Sequence, residues 1–255
     1  MAILTGLGAR LHTSAGDFSG SLTTINELAT RYAMDEQTLA TDSAARRAQL
    51  QPSTTLSWTT LFDDEDAIRA ATPTALNFAE VYFSEPAPAR ATALLRRFDI
   101  DSGSSPIEES GRVRVAYTGM ASEDVLWGIP LVRDFEFDST ASPSVTLSTE
   151  IDLGAAHSGS RTIGMCIHVQ ESTGVDTAAS PMSFRLQGSD TSGGTYTVVT
   201  KKSSAEWPKL PFDAADDSPE GSVLGYVAIN GISRYVKLDV QGTWDTATIT
   251  ASLYV

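Results

Sequence analysis

Apolar and polar positions alternate along most of this 255-residue chain, the period of a half-buried β-strand rather than of a helix. The clearest stretches lie near its C-terminal end. Residues 223–229 form an apolar run, Asn230-Gly231 follows, and then Ile232, Val236, Leu238 and Val240 share one parity while Ser233, Lys237 and Asp239 take the other. Asn-Gly tolerates the positive φ angles of a two-residue turn, so this stretch predicts a β-hairpin with Asn230-Gly231 at its tip. The final strand, residues 246–255, sets Ala247, Ile249, Ala251, Leu253 and Val255 against Thr246, Thr248, Thr250 and Ser252.

The same style recurs upstream. Residues 9–26 read as two short strands around a turn at Gly16-Asp17-Phe18-Ser19-Gly20. Residues 42–50, with a capping Asp42, several alanines and a stop at Pro52, read as a short exposed helix or a flexible arm. Leu56, Trp58, Thr60 and Phe62 then line one side of a strand that runs into Asp63-Asp64-Glu65-Asp66. Four acids favour the positive end of a helix dipole, which predicts a short helix reaching Ala71 and ended by Thr72-Pro73. Strands are expected over 76–83, 92–100 and 112–118, with a return to the sheet over 127–137. Beyond Asp138-Ser139-Thr140-Ala141-Ser142-Pro143-Ser144, the best linker by composition, further strands are expected over 145–153, 161–170, 184–187 and 196–200. Short strands separated by turn signals predict a mainly β fold in two domains. Residues 1–138 form a β-sandwich with a short helix and a long arm around 29–52. Residues 139–144 link it to an antiparallel β-sandwich over 145–255, immunoglobulin-like or jelly-roll-like.

Charge narrows the function classes. Lys and Arg total 18 and Asp and Glu 32, a net charge of −14, so the basic footprint of a nucleic-acid binder is missing. Asp outnumbers Glu 19 to 13 and Arg outnumbers Lys 14 to 4. That skew fits either a protein working in high salt, where self-repulsion is screened, or a GC-rich genome. A melting temperature that rises across a molar range of salt would favour the first. No run approaches the roughly 18 apolar residues of a membrane span, and residues 1–10 lack the features of a secretion signal.

Local chemistry is sparse. Cys166 is the single cysteine and, between Met165 and Ile167, reads as an inert strand thiol. His12, His157 and His168 have no second ligand at metal-binding spacing. Asp213, Asp216, Asp217 and Glu220 gather oxygen ligands on one stretch and form a weak cation candidate without the EF-hand pattern. No phosphate-cradling or dinucleotide motif occurs, so no cofactor is expected. Of the four tryptophans, Trp58 and Trp127 sit in apolar alternation and read as core. Trp207 and Trp244 lie beside turn signals, where they are candidates for glycan contact.

Leu56-Ser57-Trp58-Thr59-Thr60-Leu61-Phe62 entering residues 66–71, the strands over 76–83 and 92–100, and the segment from Arg112 to Trp127-Gly128 together resemble the major tail (tail tube) proteins of long-tailed viruses of bacteria and archaea. Phe184-Arg185-Leu186-Gln187-Gly188-Ser189-Asp190 and Arg234-Tyr235-Val236-Lys237-Leu238 are similar to sandwich domains of virion structural proteins, capsid-decorating ones included. The resemblance implies a protein that is not an enzyme. It would form rings, hexameric by family pattern, stacked with other tail proteins into a virion tail tube and assembled in the host cytoplasm. DNA would cross the tube without specific binding, since an acidic wall repels phosphates; no membrane is involved. The arm, with Arg31, Tyr32, Arg46 and Arg47, would reach a neighbouring subunit, and the C-terminal domain would face outward. The competing readings are a capsid-decorating or minor tail protein, and a carbohydrate-binding β-sandwich module.

Overall fold

The computed structural model describes residues 9–14, 16–18, 22–37, 46–61, 75–83, 92–103, 107–109, 112–138, 144–146, 150–173, 182–210, 221–241 and 246–255. They are mainly β and divide into two units, 1–127 and 128–255. The stretch expected to form the helix before Ala71, and residues 139–143 of the expected linker, lie outside the described residues.

In the first unit the strands are β1 (Arg10–Thr13), β2 (Gly16–Asp17), β3 (Leu22–Gln37), β4 (Arg46–Leu61), β5 (Ala75–Tyr82), β6 (Thr92–Gly103), β7 (Ile107–Glu109) and β8 (Arg112–Ala121). Their pairing runs β2-β1-β5-β6-β8-β4-β3, with β7 also on β8. The alternation read in the sequence is the alternation of burial: Thr54, Leu56, Trp58 and Thr60 are buried while their neighbours are only partly so. Trp58 is the centre of this core, 5.4 Å from the Tyr117 ring, 6.2 Å from Phe98 and edge-on to Phe18 at 6.3 Å. Gly119 makes room for it. A Cβ there would stand 2.1 Å from the Phe98 ring, so the ring lies directly over the β8 backbone.

The second unit has two sheets. One is ordered β15 (Gly221–Ile232), β12 (His157–Thr173), β17 (Thr246–Tyr254), β9 (Leu126–Asp138). The other centres on β16 (Tyr235–Gln241), flanked by β13 (Ser183–Ser189) with β14 (Thr197–Val198) on one side and the short β10 (Ser144–Thr146) and β11 (Ile151–Asp152) on the other. Ile163, Met165 and Ile167 from the first sheet and Phe184, Leu186, Val236 and Leu238 from the second belong to one buried apolar cluster.

Two sequence expectations are overturned here. Asn230-Gly231 is not a hairpin tip: β15 runs through it, with Gly231 opposite Ser158 and Ile232 opposite His157. The chain then passes Ser233-Arg234 into the other sheet, where β16 pairs with β10, β11 and β13. The 17-residue β12 supplies a non-local partner up to the end of β15, and that ladder outweighs the local preference of Asn-Gly. A bulge in β12 between Ser158 and Arg161, containing Gly159 at φ 94°, shifts the register by one residue, and the ladder continues on both sides of it. The second correction concerns residues 46–50, which are strand rather than helix or flexible arm, because they pair with β3.

Candidate assembly surface

The expected arm is the far half of a long antiparallel ladder. β3 and β4, each 16 residues, pair from Leu22↔Thr60 to Gln37↔Arg46, with three register shifts on the way. β8 pairs with β4 only from Leu61↔Arg114 to Thr54↔Ala121. Beyond Thr54, among the described residues, β3 and β4 pair only with each other. Residues 31–37 and 46–53 are therefore a two-stranded ribbon continuing past the sheet. The strand pattern explains why it forms: β4 has no proline between Arg46 and Gln51, and Pro52 sits opposite Tyr32 next to one of the shifts.

The base of the ribbon is pinned. Thr54, fully buried, donates its hydroxyl to the Glu123 carbonyl at 2.9 Å, and its Oγ1 lies 2.9 Å from Thr30 Oγ1. Tyr32 donates to Asp124 Oδ1 at 2.5 Å. That hydrogen bond, helped by burial and by the Asp124 charge, raises the Tyr32 phenol above its ordinary range. Glu123 is in turn ion-paired by Arg96 and by Arg97 Nε at 3.2 Å, and Arg97 holds a left-handed φ of 49° while doing so. None of Thr54, Glu123 or Asp124 was a candidate in the sequence. Tyr32 and Asp124 are 92 positions apart, and no local pattern joins them.

Of the four arm residues, Arg31 and Tyr32 sit at the start of the ribbon. Arg31 contacts Glu27 at 3.2 Å with its side chain 75% exposed, so this pair contributes little to the monomer. Arg46 and Arg47 belong to the ribbon backbone, opposite Gln37 and Glu36.

The other candidates fare differently. Trp207 is 8% exposed and belongs to the apolar cluster of the second unit, so it has no face left for a glycan. Trp127 is the reverse, 48% exposed, with one face of its ring stacked on Phe83 at 5.8 Å; it is not a core residue. Trp244 and the cation candidates Asp213, Asp216, Asp217 and Glu220 lie outside the described residues. His12 is buried in β1 and His168 in β12, where its Nδ1 is 2.6 Å from Ser222 Oγ and its Nε2 3.5 Å from the buried Cys166 sulfur. His157 opens β12.

A polar network on the second unit was also invisible in the sequence. Glu150 accepts from Ser192 Oγ at 2.6 Å, from the Gly193 amide at 2.7 Å and from the Tyr196 hydroxyl. The Gly193 amide, then Ser192 and Tyr196, hold the Glu150 carboxyl below its usual range. Burial, and then Glu150 itself, push the Tyr196 phenol up to about 12, and Lys237 Nζ stands 4.2 Å from its ring centre. Arg234 grips Asp152 through Nε at 2.8 Å and Nη2 at 2.7 Å. That bond and the Gly154 amide hold Asp152 down to about 2.

No family model matches the chain, and no curated protein does. Solved structures similar to it include the sheath/tube terminator of an extracellular contractile injection system (PVC), at 12% identity and TM-score 0.37, spanning 50% of this chain and 97% of that one. The virion of a native gene transfer agent particle gives 11% identity and TM-score 0.35 over 49% of this chain and 98% of that one. The Dit protein of phage SPP1, described as a hub adsorption apparatus in phages infecting Gram-positive bacteria, gives 13% identity and TM-score 0.32 over 97% and 99%.

Proposed function

We propose that the chain is a non-enzymatic structural subunit of a virion tail that self-assembles into stacked rings, hexameric, forming a tube through which DNA passes. The observation that carries this reading is the β3–β4 ribbon. A lone two-stranded ribbon is at best marginally stable in water and needs a third strand or an apolar cover. A ribbon anchored at its base by Thr54 and Tyr32 and otherwise paired only with itself is suited to receive that cover from a second copy of the chain. Among the described residues β3 is the last strand in its sheet, and its outer edge is the side open to the same neighbour. The charge of −14 supports the DNA-passage part, because a wall that neutralises no phosphates releases no counterions and so binds no DNA. The first unit is then the tube-forming sandwich and the second a sandwich on the outside.

Deletion of residues 30–50 tests this. Size-exclusion chromatography and circular dichroism should find a soluble, β-rich monomer, and negative-stain microscopy should find no rings where the intact chain forms them. Normal tubes from the deleted chain, or spikes on a shell from the intact one in its native particle, would refute the tube assignment.

A further inference from the structure

The second unit carries a cleft of about 390 Å³ where β14, the end of β13, the start of β12 and the Asn230–Ser233 crossing meet. That volume lies in the range of small-ligand sites, about 300–1,000 Å³. Its floor is apolar and close-fitting: Val199 and Ile232 are buried, and Gly188 lies so near that a Cβ there would stand 3.1 Å from Ser233 and 3.4 Å from Val199. Its walls carry Asp190, His157, Ser158, Thr197 and Thr200. Among the described residues, none of these five side chains has an intramolecular hydrogen-bond or ionic partner. The contrast within the same unit is sharp. Glu150 is held by three donors, Asp152 by Arg234 and Asp239 by Arg185, whereas the acid that lines the cleft is left free.

We infer that this cleft binds a neutral saccharide. No Lys or Arg lines it, so an anionic ligand would meet the uncompensated Asp190 and the field of a protein of charge −14. A sugar ring supplies what the walls lack: hydroxyls that donate to the Asp190 carboxylate and exchange hydrogen bonds with the imidazole and the three hydroxyls. Its C–H face can rest on the 41%-exposed Val198, with the buried Val199 and Ile232 beneath as the floor. The glycan contact thus moves from Trp207, which is buried, to a cleft that no tryptophan lines.

The test is ligand-observed saturation-transfer NMR on the full chain with lactose, maltose and diacetylchitobiose as neutral probes, sialyllactose as the anionic probe and tetralysine as the cationic one. At least one neutral probe should bind, and sialyllactose should bind more weakly than lactose. Asp190→Ala should weaken the neutral probe about tenfold or more, since it removes a hydrogen bond to a charged group. Asp190→Asn, which keeps an acceptor, should retain part of the affinity. Thermal unfolding like that of the parent chain should show that both variants fold. No transfer to any neutral probe, or binding that survives Asp190→Ala combined with His157→Ala, would overturn the inference. So would tetralysine binding more tightly than every sugar and being lost in Asp190→Asn. Ring formation by Asp190→Ala, read by microscopy, should be normal, so failure here and failure of the tube reading are distinguishable.

Discussion

The start of the β3–β4 ribbon and the outer face of the β13–β16 sheet both carry charged groups, yet they handle them in opposite ways. On the second, Arg185, Glu150 and Asp152 each find a partner within the unit. Arg185 is bound to Asp239 and Gln241, Glu150 to the Ser192–Tyr196 turn, and Asp152 to Arg234. On the ribbon, the Arg31–Glu27 contact is solvent-exposed, and past Thr54 the strands pair, among the described residues, only with each other. A surface that satisfies itself is built to face water. One that stops short of doing so leaves room for a cover, and that difference is the reason the proposed assembly is assigned to the first unit.

The largest effects should come from the supports beneath each surface. Trp58→Ala empties the core on which β4 rests and should cost about 3–5 kcal/mol, read from the urea midpoint, with loss of rings as a secondary effect. Gly119→Ala drives a Cβ into the Phe98 ring and should cost about 1–3 kcal/mol by overpacking. In the second unit, Asp239 is buried at 1% exposure and bound by Arg185. Asp239→Ala removes the carboxylate partner of that guanidinium and should cost about 2–3 kcal/mol while leaving ring formation intact. Loss of rings in Asp239→Ala at a temperature where it stays folded would break the division of labour between the two surfaces.

Smaller effects follow from pH. Asp152 titrates at about 2 instead of 3.8 in the folded chain and Glu150 below its ordinary 4.5. Their contribution is present above the unfolded values and lost as pH falls through the folded ones. Tyr196 moves the other way, from 10.0 to about 12. Its contribution is complete below about pH 10 and disappears as pH rises through 12. The melting temperature of the chain should therefore fall on both flanks; Asp152→Asn with Glu150→Gln should flatten the acid flank and, because Glu150 helps to raise Tyr196, shrink the alkaline one. An acid flank unchanged in that double variant would remove these two carboxylates from the account of the second face.

What the sequence made legible was whatever depends on local period. Leu56, Trp58 and Thr60, or Ile163, Met165 and Ile167, announce a buried face because side chains alternate across a strand whatever its partner. Pairing is different. Asn230-Gly231 carries a strong local turn signal and residues 46–50 carry alanines behind a capping Asp, yet β12 and β3 respectively keep both stretches in ladders. Tryptophan exposure was misread for a related reason. Trp127 starts a strand, where Phe83 covers one face only, whereas Trp207 lies in an irregular segment that folds over the core. The Tyr32–Asp124 and Thr54–Glu123 pins and the Glu150 network join residues 42–92 positions apart, a separation that no motif spans.

The finest test of the contrast is Tyr32→Phe. The change removes a single hydroxyl from a half-exposed ring and with it the hydrogen bond to Asp124, while Thr54 still ties β4 to the Glu123 carbonyl. The denaturation midpoint of the monomer should not move, because exposed hydrogen bonds exchange with water at little net gain. The ribbon should nevertheless be held less firmly at its base. Amide hydrogen exchange over 31–37 should quicken, and assembly should start at a higher protein concentration, since a freer ribbon must be ordered when a neighbour covers it. The second unit should exchange as before. If exchange over 31–37 is unchanged, the Thr30–Thr54–Glu123 set alone fixes the ribbon, and Tyr32 then acts, if at all, at the surface that meets the neighbour.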